Sequence, residues 1–383
     1  MEKHIDRRSI MELEERIRGE TTKWLFGLDD TAKILVRALF ASLPYTDKIT
    51  RTKKLGQPHI MFFGDTGVGK TDLVMSIAMT ISAAFNRVQG MTHLMSNDIL
   101  GDYIFAENAK GERSLKFRPG KLYANIVLID ESNRILAEAK SALLEALEER
   151  SGTPDQENID FGDGKTGTKK VLPLYPVSGD LEDDTGDRFF MVMMTQNIFG
   201  EEEGTQPNTR AELDRITLAV PIYRPPLEDE EKISVFNVVG KRIEEVATLN
   251  DILAAARFIH ETVRPSLHGS QYRARLLQST DPRTVSDASG NKQLIRYVRE
   301  NVLIGASPRV NLHLEPVAQV EAFFDGSDQI RPEHIKAAAR HVIPHRLKFR
   351  PEKEFRLERE FGSRAKEVVF EEILKLVEMP RWK

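Results

Sequence analysis

The residues best suited to chemistry are Gly64, Asp65, Thr66, Gly67, Val68, Gly69, Lys70 and Thr71, which fit the spacing G-x-x-x-x-G-K-[ST]. Glycines let a backbone approach phosphate oxygens closely, a lysine supplies a cation to the β- and γ-phosphates, and the Thr71 hydroxyl is a ligand for Mg²⁺. The apolar run His59 to Phe63 precedes the loop and reads as a buried strand, while Asp72 to Met79 follows without a breaker and reads as a helix. Strand, loop and helix therefore aim backbone N–H groups at an anion. A chance glycine-rich turn is the plain alternative.

A second run, Asn125 to Glu131, places four apolar residues before Asp130 and Glu131, as in a central parallel strand ending at a ligand crevice. Asp130 can hold the Mg²⁺ shell and Glu131 can polarise an attacking water; capping of the next helix, Ala137 to Arg150, is the structural alternative. A third strand, Phe189 to Met194, leads into Thr195, Gln196 and Asn197, where Asn197 can bond the γ-phosphate or the water, or merely form a turn. Arg215 ends a short helix with no local carboxylate spacing to explain it, and a surface salt bridge remains open.

These groups need an α/β scaffold. With 383 residues, 40% hydrophobic and 30% charged, the chain suits two or three compact units, and a net charge of −4 leaves no global nucleic-acid footprint. There is no cysteine, the first residues are charged, and the apolar run Leu73 to Phe85 is too short for a bilayer. Cytoplasmic location without membrane insertion is the expectation.

The ordered set of motifs resembles the MoxR family of AAA+ ATPases, within the group that carries an extra helical insert beside its second strand. The match runs from Gly64–Thr71 through Asn97–Gly101, Phe117–Gly120, Ala124–Arg134, Ser141–Arg150, Thr195–Asn197 and Glu212–Arg215 to Gly305–Arg309 and His345–Leu347. The resemblance implies a P-loop αβα domain with a parallel sheet, followed by an all-α lid. It assigns Lys70 and Thr71 to Walker A, Asp130 and Glu131 to Walker B, Asn197 to sensor 1, Arg309 to sensor 2 and Arg215 to an arginine finger inserted into a neighbour's site. It further implies ATP and Mg²⁺ as ligands and a homo-oligomer, a hexameric ring. The role implied is chaperone-like remodelling of partner complexes, often with a von Willebrand factor A domain protein. Whether Arg309 serves its own subunit or the next stays open.

The expected layout is an N-terminal helical segment at 1–58, the nucleotide-binding domain at 59–226 and the helical lid at 227–383. Within these, 95–117 reads as the helical insert, 151–187 as a long hairpin insertion and 267–292 as a polar, loop-like insertion carrying Arg273, Arg275 and Arg283. The Asp-Gly spacing near 160–164 lacks the bidentate glutamate of a Ca²⁺ loop, and His334, His341 and His345 lack a completing ligand for a metal. The Trp24-Leu25-Phe26 turn reads as core packing, with closure over an adenine ring as the alternative. No Ser-His-Asp or Cys-His set is visible. A nucleic-acid-stimulated motor, a slow nucleotide-switched scaffold and a small-molecule phosphotransferase are the competing functional readings.

Overall fold

A computed structural model of the chain describes residues 5–64, 67–107, 113–153, 172–174, 188–197, 208–236 and 242–379. Five parallel strands form the central sheet: β3 (Ile60–Gly64), β4 (Phe85–Gln89), β7 (Ile126–Asp130), β10 (Met191–Asn197) and β11 (Leu218–Ile222), in the order β11-β3-β10-β7-β4. Its inner strands are apolar because both faces are covered. In β7, Ile126 and Leu128 face one hydrophobic core while Val127 and Ile129 face the other.

The first of those cores is shared by the N-terminal helices α1 (Arg7–Thr22) and α2 (Asp29–Leu39), the phosphate-loop helix α3 (Lys70–Thr80) and the lid. Asp6 starts α1 by accepting from Ser9 N at 2.8 Å, which satisfies an otherwise orphaned helix donor. The expectation of helix throughout 1–58 is corrected at its end, where β1 (Leu43–Thr46) and β2 (Lys53–Gly56) form an antiparallel hairpin. The second core is closed by α4 (Ser96–Leu100) and α5 (Ala137–Glu149).

Residues 95–117 also differ from the expected helical insert. Among its described residues only those of α4 are helical; β5 (Gly101–Glu107) and β6 (Arg113–Pro119) then pair antiparallel. Gly101 sits at φ 90° with a Cβ position only 2.4 Å from the Arg118 carbonyl oxygen, so glycine is required where the chain turns into the hairpin. The tip near 108–112 lies outside the described residues. Of the 151–187 insertion, β8 (Ser151–Gly152) and β9 (Leu172–Pro173) pair antiparallel and form a hairpin base, while 154–171 and 175–187 lie outside the described residues.

The lid comprises α7 (Leu227–Val235), α8 (Leu249–Thr262), α9 (Leu267–Ser279), α10 (Val285–Ala288), α11 (Lys292–Asn301), α12 (Val310–Phe324), α13 (Pro332–Val342), α14 (Pro351–Phe361) and α15 (Ala365–Leu376). The 267–292 stretch is therefore not a solvated loop. It contributes α9 and α10, with Tyr272, Leu276 and Val285 in the core. Its arginines are tied inside the chain: Arg273 to Glu315, Arg275 to the Glu378 carbonyl at 3.2 Å, and Arg283 to Asp281 at 2.6 Å.

Three histidines are buried where core meets lid and strand. His59 accepts from Val192 N at 2.9 Å, His313 shares a bond with Thr217 Oγ1 at 2.9 Å, and His345 lies 3.2 Å from the Ile216 carbonyl oxygen. Burial holds all three well below the usual imidazole range, helped by Arg150 beside His59 and Arg346 beside His313 and His345. Because the folded values are depressed, the unfolded chain takes up the protons first. Their contribution is complete above roughly pH 6.5 and is lost as pH falls below it, by about 1.4 kcal/mol per histidine per pH unit until the folded value is reached. Thermal unfolding between pH 7.5 and 5 should show Tm falling below pH 6.5; a flat profile would contradict neutral buried histidines.

Candidate active site

The nucleotide crevice lies at the C-terminal ends of β3, β7 and β4. Gly67 and Gly69 both have φ 82°, in the left-handed region, and Gly69 starts α3, whose first residues are Lys70 and Thr71. Lys70 is 7% exposed and donates from Nζ to the Gly64 carbonyl oxygen at 2.7 Å, so the cation is held against the loop it serves. Asp65 and Thr66 lie outside the described residues. Val68 packs against the core shared by helices and lid.

Asp130 and Glu131 sit directly across from this loop. Thr71 Oγ1 donates to Asp130 Oδ2 at 3.3 Å, and Thr195 Oγ1 donates to Asp130 Oδ1 at 2.5 Å. The same Thr195 hydroxyl accepts from Glu131 N at 3.0 Å, so one side chain of β10 fixes both acidic residues. Glu131 has φ 53°, a left-handed conformation that costs a non-glycine residue about 1 kcal/mol or more and persists only where neighbours enforce it. Strain of this kind gathers where a side chain must be aimed.

Two residues of β4 complete the acidic pair, and the sequence reading did not single them out. Arg87 Nη2 lies 2.5 Å from Asp130 Oδ2 and 3.0 Å from Gln89 Oε1, and Gln89 Nε2 donates to Glu131 Oε2 at 2.9 Å. Arg134 adds an ion pair to Glu131 at 3.3 Å. The spacing alone was legible, since Arg87 and Gln89 stand at alternate positions and so share one face of a strand; that Gln89 registers with Asp130 in the parallel pair β4·β7 is seen only in the structure.

Beside the crevice is a cleft of about 1350 Å³ lined by Trp24, Phe26, Leu28, Gly67, Met79 and Phe236, among others. Trp24, Leu25 and Phe26 are half-buried, and Phe236 meets Phe26 edge-on at 5.2 Å and Trp24 at 5.8 Å. Leu25 packs against the core as expected, and Leu28 is buried in it, while the same turn lines the cleft next to the phosphate loop with Trp24 and Phe26. An aromatic-lined slot opening onto a glycine-rich anion site suits a purine nucleotide.

The other expected site residues are placed differently. Asn197 ends β10 in register with Gly64, which sets its backbone at the crevice end of the sheet. Arg215 ends α6 (Arg210–Arg215), just ahead of β11, and since Leu218 registers with Ile60 and Ile222 with Gly64 it lies a full strand length from its own phosphate loop. That is roughly 15 Å at the usual rise per residue. Arg309 sits beside it: both guanidinium groups pair with Glu148 of α5, Arg215 on Oε2 and Arg309 on Oε1. Two residues before Arg309, the Ser307 hydroxyl donates to Asp214 Oδ1 at 3.2 Å. Lid residue Arg346 also grips α6, lying 3.8 Å from Asp214 Oδ1 and donating to the Ile216 carbonyl at 2.5 Å. Burial lowers the Arg346 pKa to about 9. His334 and His345, weighed above as metal ligands, pair separately with Asp325 at 3.0 Å and with the Ile216 carbonyl. Among the described residues no helix is long and apolar enough to cross a membrane.

Comparison with known proteins agrees with this architecture. The sequence pattern of the ATPase family associated with various cellular activities (AAA) matches residues 59–164, and that of AAA lid domains matches 296–364. An uncharacterized protein of Bacillus subtilis, YeaC, is 30% identical over 331 residues, spanning 85% of this chain and 87% of that protein. Chaperone MoxR1 of Mycobacterium tuberculosis is 28% identical over 299 residues, spanning 76% of this chain and 68% of the relative. A crystal structure of a protein from Cytophaga hutchinsonii shares the fold with a TM-score of 0.71, over 98% of this chain and 99% of that one at 24% identity. With a glycine-rich phosphate loop, a paired carboxylate strand and a helical lid on one parallel sheet, and with relatives that match across both units, this chain belongs to the MoxR family of AAA+ ATPases.

Proposed function

We propose that the chain hydrolyses ATP at sites shared between neighbouring copies in a ring, and that turnover remodels or activates partner proteins. The observation that carries this reading is the pairing of Arg215 and Arg309 at the end of the sheet remote from their own phosphate loop. Neither arginine can serve the crevice of its own chain without a large rearrangement. A head-to-tail contact brings this edge of one copy to the crevice of the next, and such a heterologous contact closes into a ring when the rotation allows, for which a hexamer is the family expectation. On this reading Arg309 acts in trans together with Arg215.

In each crevice Gly67, Gly69 and the start of α3 direct backbone donors to the phosphates, and Lys70 adds its charge. Thr71 and Asp130 would hold Mg²⁺, since a hydroxyl and a carboxylate oxygen 3.3 Å apart form the hard-oxygen donor set that this ion prefers. When bound, the ion neutralises charge on the phosphates. Glu131 orients and polarises the attacking water, with Gln89 and Arg134 setting where its carboxylate points. Asn197, at the end of the strand between β3 and β7, is assigned to sensing the terminal phosphate. Trp24, Phe26 and Phe236 take the base.

Remodelling is supported by the chaperone named among the relatives and by the grip of Ser307 and Arg346 on Asp214, which ties lid movement to the helix that carries Arg215. A protein client, with a von Willebrand factor A domain protein as the leading class, is part of the proposal.

Mixing tests the shared site. Lys70→Ala and Arg215→Ala should each be nearly inactive alone, while an equal mixture should recover part of the activity at interfaces that pair an intact loop with an intact arginine. Specific activity should also rise with protein concentration. Absence of recovery, with turnover independent of concentration, would overturn the proposal.

The backbone beneath Glu131 supplies a further prediction. A Cβ on Gly90 would lie 2.2 Å from the Glu131 carbonyl oxygen and 2.9 Å from that of Asp130, so Gly90→Ala must displace the acidic strand end. Displacements near 1 Å cost on the order of 100-fold in rate. Turnover should fall by that order while nucleotide binding, measured separately, stays within a few-fold; normal turnover would show that the strand end tolerates the shift.

A further inference from the structure

Glu148 has no assigned task, yet it lines the same cleft as Arg215 and Arg309 and pairs with both. The cleft, about 400 Å³, is lined also by Lys48, Lys53 and Arg150, so named cations outnumber the carboxylates Glu148 and Glu149. Lys48 is paired with Glu149, and Lys53 donates to Thr46 Oγ1 at 2.9 Å, which leaves Glu148 as the counter-ion of the two arginines. Each of its oxygens takes one guanidinium, the way a terminal phosphate presents separate oxygens to two arginines. The side chains of Arg215, Glu148 and Arg309 are 19%, 34% and 36% exposed, so an incoming anion can reach all three. This carboxylate also spans units, since Glu148 is on α5 of the sheet domain and Arg309 immediately precedes α12 of the lid.

We infer that Glu148 is an internal stand-in for the terminal phosphate of a neighbour's nucleotide, neutralising Arg215 and Arg309 until a triphosphate carried by a second copy of this chain displaces it. This inference rests on the shared-site reading above and adds its regulation. Displacement couples two events. The interface gains its charge pairs only when a triphosphate is present, and the lid loses its tie to α5 at the same moment. Glu148 therefore sets a threshold on triphosphate-driven assembly, because the phosphate must compete with a carboxylate already in place.

The test is self-association of the full chain by sedimentation, with a non-hydrolysable ATP analogue, with ADP and without nucleotide. Glu148→Gln keeps the shape and removes the charge. Close charge pairs at interfaces couple by about 1.5 kcal/mol or more, which corresponds to about tenfold in an equilibrium constant. Glu148→Gln should therefore assemble with the analogue at about tenfold lower protein concentration than the parent, with a much smaller change in ADP, so that it discriminates more sharply between analogue and ADP. In the double variant with Arg309→Ala, that gain should shrink, because one of the released arginines is gone. If Glu148→Gln assembles at the same or a higher concentration than the parent, Glu148 is a structural support and the inference falls, even where Arg215→Ala and Lys70→Ala complement each other. If those two variants fail to complement, the shared-site reading falls and this inference with it. Unfolding of Glu148→Gln at the parental Tm checks that the fold is kept; should it unfold early, Glu148→Ala measured in the same way decides.

Discussion

Arg215→Ala should lower the steady-state ATPase rate by about three to five decades while leaving ATP binding within a few-fold of the parent. An arginine supplied from outside the nucleotide's own subunit neutralises charge that develops on the terminal phosphate, so its removal acts on the transition state much more than on the bound ground state. The fold should survive. Arg215 is held by the Ala211 carbonyl at 2.9 Å and by Glu148, and the helix that carries it is separately gripped by Arg210 on the Gly305 carbonyl at 3.5 Å and by Arg346. Arg309→Ala should act in the same direction, because it shares the same carboxylate and the same edge of the sheet. The measurement is turnover at a protein concentration well above assembly, with nucleotide affinity read in parallel. A loss confined to affinity would mean that these arginines bind nucleotide in their own chain, which their position argues against.

Glu131→Gln should abolish turnover by about two to four decades and retain nucleotide, since an amide keeps the hydrogen-bonding shape but cannot accept a proton from water. The bonds that place this side chain speak for a polarising role. Its backbone is held left-handed, its amide is caught by Thr195, and its carboxylate is steered by Gln89 at 2.9 Å and Arg134 at 3.3 Å. A residue that only capped the following helix would not need such aim. Slow dissociation of ATP from Glu131→Gln, with assembly preserved, is the expected signature, and client remodelling should stop. A variant that still remodels its partner would favour the nucleotide-switched scaffold, in which the bound state is what the partner reads.

The phosphate loop, the acidic strand end and the helical lid were legible in the sequence because each is local. Four apolar residues in a row ending in two carboxylates read as a strand covered on both faces, and a glycine-rich turn between strand and helix has few uses. Alternation also marks Ser114, Leu115, Lys116, Phe117 and Arg118 as a strand, and that period of two was the missed sign that 101–107 and 113–119 are paired strands rather than helix. The stretch 267–292 misled through its polarity. Its buried positions Gly269, Tyr272, Leu276 and Ser279 follow a helical period, but Gly269 reads as a loop residue until the Ile330 carbonyl is seen 2.3 Å from where its Cβ would stand. Glycine is there because another backbone passes close by, and only the tertiary structure places that backbone.

Pairings between distant segments were likewise beyond the sequence. Thr195 fastens Asp130 and Glu131 from 65 and 64 residues away, and Arg309 meets Glu148 across 161 residues. A hydroxyl or a carboxylate carries no local sign of which donor it will find, since that depends on strand order and on where the lid docks. The sequence by itself determined which chemistry the chain can hold, because backbone donors, a lysine and two carboxylates are set by short-range geometry. The tertiary structure decided that Arg215 and Arg309 stand together, facing away from their own nucleotide crevice, because parallel strand register puts the start of β11 at the far end of the sheet from the loop after β3.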